Sequence, residues 1–371
     1  MSLSPADDYP IHQGAEVVRH PLTSDRNFYD RYYFMLHSSS DELMLVFGMG
    51  QYPNLSVQDA FALARTGTMH RVVRASRTLG ADRMDLSVGP FRIEVLEGLN
   101  KVRYVLDANE HGLSFDVTFS ASAPAVLEQR HFIRQYERET FNTQRFAQTG
   151  HYEGTITIGD DTIDVDGGRW QGPRDRSWGV RPVGDPEPAG IAASGVEGPA
   201  MSMWNYDPMM FDDHTIVYIC AEKPDGSRDM EQASRVWSDP SKPVEHLGRP
   251  EHEHEFIPGT RRIKRSKLSF PHAPDGPLEI EVTPMINAHI GVATGYAPEP
   301  DWKHGMYQGE LVVQGVDLDT EKDADRFAVP MVDAAAKFET NQGKTGYGLH
   351  EYMFLGPFPK YGLTGILDGA P

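Results

Sequence analysis

The chain has 371 residues, 39% hydrophobic and 24% charged, and 35 Lys/Arg against 54 Asp/Glu give it a formal net charge of −19. This length suggests two to three domains, and the composition supplies a substantial core and excludes a disordered chain. The acidity argues against a nucleic-acid surface, which needs clustered Lys/Arg, and against docking on an anionic membrane; no stretch has the apolar length of a membrane span.

The opening segment MSLSPADDYPIHQGAEVVRH carries early acids and no apolar run, so it does not read as a secretory signal, and a cytoplasmic protein is expected. Short alternating segments then follow at 42–50, 70–77, 91–98, 102–108 and 113–121, separated by Gly, Asp, Asn and Pro. In FRIEV, Phe91, Ile93 and Val95 point one way while Arg92 and Glu94 point the other, the pattern of a half-buried strand. SVQDAFALAR (56–65) offers Ser56 as a helix cap, but its alternation continues around Thr66-Gly67-Thr68 and favours a hairpin. TITIGDDTIDV (155–165) is a second hairpin, turning at Gly159-Asp160-Asp161.

GPRDRSWGVRP (172–182) mixes charge and indole in one short run. As a strand it sets Arg174, Arg176 and Trp178 on one face and Asp175 and Ser177 on the other. Two readings follow. The arginines stack on Trp178 and close a barrel end, with Asp175 paired to Arg181 or Arg130; or Asp175 is a proton donor and Trp178 a cation-stabilising wall. The Pro/Gly-rich stretch 181–200 then reads as a linker or long rim loop, dividing an N-terminal unit, 1–185, from a C-terminal unit, 186–371.

In the second half, MWNYDPMMFDDH (203–214) gathers Trp204, Tyr206, Met209, Met210, Phe211 and His214, either as core with a turn at Asp207-Pro208 or as a cavity mouth. HTIVYICAE (214–222) holds the one cysteine, Cys220, expected as a buried structural thiol with no intramolecular disulfide. PEHEHEFIPG (250–259) puts His252 and His254 opposite Glu251, Glu253 and Glu255. Two histidines without a third ligand are an incomplete metal site, so a charged, solvated edge strand is expected there, and no metal. The basic run TRRIKRSK (260–267) is read as a solvated strand face, and His289 and His304 as structural.

Strands are expected at 277–286 and 309–318, and VPMVDAAAKFE (329–339) is the best helix candidate. GYGLHEYMF (346–354) alternates Tyr347, Leu349, Glu351 and Met353 against Gly348, His350, Tyr352 and Phe354. Either Glu351 is an isolated acid among apolar neighbours, or His350 and Tyr352 are the inward polar groups.

Three segment pairs recur in order: 41–47 with 213–219, 150–158 with 305–313, and 172–179 with 346–356. They suggest a duplicated unit, and each half has the size of an up-and-down antiparallel barrel. The expected fold is all-β, with two tandem barrels packed together. No G-x-S-x-G elbow, P-loop or dinucleotide fingerprint is present, so ordinary hydrolase, kinase and dehydrogenase readings lack motif support.

YYF, GMGQYPN, VVRASR, GHYEGTITI, GPRDRSWGVRP and GYGLHEY together resemble a tandem lipocalin-like (calycin) family. It includes the AttH-like proteins, with hydroxyneurosporene synthase (carotenoid 1,2-hydratase) and tocopherol cyclase as more distant relatives. Members of the family often carry His where this chain has Arg176. The resemblance implies two packed barrels holding an isoprenoid- or polyene-like molecule between or inside them, with hydration, cyclisation or isomerisation as the chemistry and no cofactor. Such reactions need an acid of raised pKa in an apolar cavity and aromatic walls for a cation. The candidate catalytic residues are Asp175, Glu351 and His350; the candidate ligand-binding residues are Trp178, Trp204, Tyr206, His214, Tyr352 and Arg174. The alternative is a non-catalytic carrier or sensor of a hydrophobic ligand. The expected partner is a hydrophobic small molecule, with the protein a monomer or homodimer.

Overall fold

The computed structural model describes residues 2–135, 137–183, 190, 203–297 and 299–371. Regular structure among them is almost entirely β, with helix confined to short 3-10 turns. The first half supplies β1 (Phe28–His37), β2 (Met44–Tyr52), β3 (Val57–Thr66), β4 (Met69–Thr78), β5 (Ser87–Val88), β6 (Phe91–Glu97) and β7 (Lys101–Leu106). It continues with β8 (Leu113–Ala121), β9 (Val126–Leu127), β10 (His131–Gln135), β11 (Arg138–Ile158), β12 (Asp161–Val165) and β13 (Gln171–Val180). The second half supplies β14 (Met203–Met210), β15 (His214–Glu222), β16 (Arg228–Trp237), β17 (Glu245–His246) and β18 (Glu251–Phe256). Then come β19 (Ile263–Phe270), β20 (Leu278–Ala288), β21 (Leu311–Asp319), β22 (Met331–Thr340) and β23 (Thr345–Phe354).

These strands form two antiparallel sheets, each curled into a lipocalin-like barrel, and the barrels pack together. In the first, β1 lies between β2 and β13; in the second, β14 lies between β15 and β23. Two of the three repeated segment pairs therefore occupy matching places. The third does not: 150–158 lies in β11, whereas 305–313 leads into β21, which leaves its own half and pairs with β4 from Leu311↔Arg77 to Asp319↔Met69.

Three apolar clusters explain the packing. Phe34, Phe47, Tyr104 and Phe115 fill the first barrel, with ring centroids 4.8 to 5.7 Å apart. Phe270, Phe338, Tyr352 and Phe354 fill the second. Between the barrels, Tyr33, Met35 and Phe61 meet Tyr206, Val217, Ile219 and Leu349. Strands at this junction are buried on both faces, which is why MLVF and TIVYI read as unbroken apolar runs.

Several local expectations change. VPMVDAAAKFE is strand β22, not helix: Val332, Ala334, Ala336 and Phe338 enter the second barrel while Asp333 and Ala335 face the junction. Burial of both faces overrides the helix propensity of its three alanines. Ser56 caps no helix; at φ 57° it ends a 3-10 turn before the β3–β4 hairpin. His252 and His254 are buried inside the second barrel rather than on a solvated face. In the basic run, Lys264 and Arg265 are exposed and pair with Glu255, but Arg261 is buried, donating to the carbonyls of Phe354, Gly356 and Gly365. From residue 184 on, the expected linker, with the 185/186 boundary, lies outside the described residues except Gly190. No described helix is long and apolar enough to cross a membrane.

Candidate functional site

Alternation along two strands builds the site. β13 turns Asp175 and Ser177 out of the first barrel, and β23 turns Glu351 and Met353 out of the second. Both pairs meet at the junction, beside a cavity of about 140 Å³. Its walls include Tyr29, Phe141, Trp204, Tyr296, Met331 and Met353, with Glu128, Arg145, Arg181 and Glu351 as the charged lining. Cross-strand register adds a further acid: Asp333 lies opposite Glu351, and Tyr33 lies opposite Asp175.

Hydrogen bonds fix this cluster. Trp204 Nε1 donates to Glu351 Oε1 at 2.7 Å. The Tyr33 hydroxyl donates to Asp333 Oδ2 at 2.5 Å, joining the two halves across 300 residues. Arg145 Nε donates to Glu128 Oε2, and its guanidinium lies 4.2 Å from the Tyr206 ring centroid and 5.2 Å from that of Trp204. His131 stacks on Trp204 at 6.3 Å.

Four carboxyls thus share a region served by two arginines, Arg145 and Arg181, and Glu128 takes Arg145 directly. Burial raises all four acids. Asp175 is pushed up to about 7, with Arg145 opposing the shift and Glu128 and Glu351 adding to it. Asp333 is held well above the ordinary carboxylate range, by burial and then by Glu351. Burial raises Glu351 against the pull of Arg145. Burial, followed by Arg145, lowers His131 to about 4. The cluster can therefore hold protons at neutral pH beside apolar walls, the condition for a general acid in a water-poor cavity.

The other face of β13 does separate work. Arg174 donates to Gln148 Oε1 at 2.7 and 3.1 Å, between the rings of Phe119 and Phe146. Arg176 pairs with Asp30 and lies 4.2 Å over Tyr32, while Trp178 meets Phe146 edge-on at 6.5 Å. The arginines do clasp aromatic rings, but phenylalanine and tyrosine rather than the indole. Asp175 forms an ion pair with neither Arg181 nor Arg130, and Arg130 donates to Asn142.

His350, Tyr352 and His214 lie off the cavity. His350 Nδ1 is 2.8 Å from Asp207 Oδ1, and its Nε2 is 3.1 Å from Ser266 Oγ, which also meets His254 Nδ1 at 2.7 Å, all inside the second barrel. The Tyr352 hydroxyl accepts from the Ile263 amide, and His214 stacks on Phe211 at 4.8 Å. Cys220, Glu222 and His252 bring one ligand atom each within 4.8 Å of one another. Glu222 Oε2, however, already takes Arg228 Nε at 2.7 Å and His252 Nε2 at 3.0 Å, so a guanidinium supplies the positive charge there. Burial also pushes the Cys220 thiol up to about 12.

A sequence family described as a family of unknown function (DUF8625) matches residues 3–364. The chain belongs to DUF8625. No curated protein matches this DUF8625 member by sequence. Among solved structures, a protein given the AttH designation, from Nitrosomonas europaea, matches with a TM-score of 0.54 at 13% identity, over 89% of this chain and 93% of that one. At that identity the likeness shows the fold alone, which is AttH-like. CghA, solved with Sch210972, matches with a TM-score of 0.49 at 10% identity over 89% of each chain.

Of the residues that the sequence singles out, the fold brings Asp175, Glu351, Trp204 and Tyr206 together, beside Glu128, Arg145, Asp333, Tyr33 and Tyr296, which sequence reasoning did not name. One signal was available. Reading 331–340 as a strand puts Asp333 on the face opposite Val332 and Ala334. Nothing local marks the rest, because their partners come from other strands.

Proposed function

We propose that the protein is a cofactor-independent enzyme that protonates a hydrophobic, isoprenoid-like small molecule in the inter-barrel cavity, leading to hydration, cyclisation or isomerisation. The observation that carries this reading is the buried acid cluster of Asp175, Asp333 and Glu351, which reaches the cavity at Glu351, beside apolar walls. An engineered cavity of about 150 Å³ binds benzene, so the space here suits one ring or branched unit, the rest of a longer substrate extending through the mouth.

In this mechanism the neutral Asp175 carboxyl gives its proton to an alkene carbon, and the electron pair of the double bond forms the new C–H bond. The resulting cation faces the rings of Trp204 and Tyr296. Return of a neighbouring proton to the Asp175 carboxylate gives the isomer. Attack by water or by a second alkene, followed by proton loss, gives the hydrated or cyclised product. Glu128, held by Arg145, and Glu351, fixed by Trp204, lie close to Asp175 and favour its protonated form. The AttH-like fold, two barrels with an apolar space between them, is compatible with this reaction class.

Solvent extraction of purified protein followed by mass spectrometry names the ligand class. Given that molecule, Asp175→Asn and Glu351→Gln should each lower turnover by about 10²- to 10⁴-fold while binding persists. Full turnover in both folded variants overturns the assignment. Release of the ligand unchanged by every form of the protein establishes the carrier reading instead.

A further inference from the structure

A second cavity, of about 300 Å³, lies between the loop at 259–262, the end of β20 and the 3-10 turn Ala324–Ala328. It shares no lining residue with the inter-barrel cavity. Phe327, Val329 and Val332 are among its apolar lining residues, and Arg262 and His289 among its polar ones.

In a chain of net charge −19, this cavity has a local excess of positive charge. Arg262 is exposed, and no described side chain or carbonyl accepts from its guanidinium. Behind the wall, Arg65 gives its donors to the carbonyls of Asn287, Gly67 and Met69 and to the hydroxyl of Thr320, a lining residue, so no carboxylate neutralises it by contact. Asp319, the acid that acts on Arg65 from a distance, already accepts from Thr68 and from the amides of Glu321 and Lys322.

His289 is the second, independent sign. It is 5% exposed, packs edge-on against Phe327 at 5.1 Å, and its Nδ1 has no partner. Burial first, then His70, Arg262 and Arg65, lower it to about 3, so it is a neutral imidazole among cations. Buried polar nitrogens are normally satisfied, and this one belongs to a residue that lines the second cavity.

We propose that this second cavity binds a small amphipathic anion, with its carboxylate or phosphate head on Arg262 and His289 and its short apolar chain on Phe327 and Val332. An arginine supplies fork-shaped donors for an oxyanion, and the apolar wall removes the chain from water. The site is independent of the inter-barrel reaction.

Calorimetric titration of the full chain with octanoate, octyl phosphate and octanol tests this, alongside the NMR signals of the His289 imidazole. Saturable binding of octanoate or octyl phosphate that shifts those signals is expected, and the tighter of the two identifies the head group. Arg262→Glu should weaken that binding about tenfold or more, the loss of one charge-assisted contact. Glu351→Gln, which alters the other cavity, should leave it unchanged. Octanol binding as tightly as octanoate, no binding of either anion, or a loss in Glu351→Gln without one in Arg262→Glu would overturn the proposal.

Discussion

Asp175 sets the clearest residue-scale expectation. Its folded pKa of about 7 stands well above the value of about 3.9 for an unfolded aspartate. Between those values the folded state binds more protons than the unfolded state, so stability falls as pH rises. The contribution is fully present below the unfolded pKa and is lost as pH passes through 7. Denaturant midpoints at about pH 5 and about pH 8 should therefore differ in the wild type, and Asp175→Asn should flatten that difference. An unchanged pH slope in the variant would show that Asp175 is already ionised in the folded protein. At this scale, alternation singled out Asp175, on the face opposite Arg174, Arg176 and Trp178, and Glu351, an acid sharing a face with Tyr347, Leu349 and Met353. Arg145 and Asp333 were not, since nothing local distinguishes a lone arginine in TQRFAQTG or an aspartate beside three alanines.

At the scale of elements, two glycines hold the closing strands tight against the first strand of each barrel. A Cβ on Gly172 would lie 2.1 Å from the Met35 carbonyl oxygen, and one on Gly348 would lie 2.1 Å from that of Pro208. Either strand pair must open to admit a methyl group. Gly348→Ala should thus cost roughly 1–3 kcal/mol, the range of overpacking in a dense interior, seen as a lower denaturant midpoint. A midpoint within error of the wild type would mean that β14 and β23 separate at no cost. Gly172 and Gly348 also mark the part of the duplication that the sequence displayed correctly, the β13/β23 correspondence. The helix expectation for 329–339 failed for a different reason. A strand covered on both faces loses the alternation that identifies it, and VDAAA then looks like a helix former.

At the scale of the whole molecule, the two halves are not separable beads. β21 pairs with β4 along its whole length, and Arg71 adds a two-point ion pair to Asp317 at 2.7 and 2.9 Å. Residues 2–183 produced without the rest would leave the β4 edge unpaired, an invitation to intermolecular strand addition. Aggregation of that fragment by size-exclusion chromatography is expected, with the full chain dispersed. A monomeric, folded fragment would make the exchanged strand dispensable.

By itself, the sequence determined the strand alternation, the turns, the doubling of the barrel and the presence of acids among apolar neighbours, because these depend on residues close together in the chain. Tertiary structure alone decided which of the two faces each strand turns toward the junction, since a period of two defines two faces without naming the inner one. It also decided that both barrels fill themselves with aromatic side chains and leave the acid-lined space between them. Cross-strand register then brought Tyr33 to Asp333 and Trp204 to Glu351, and such pairings depend on how distant segments pack, which no local pattern encodes.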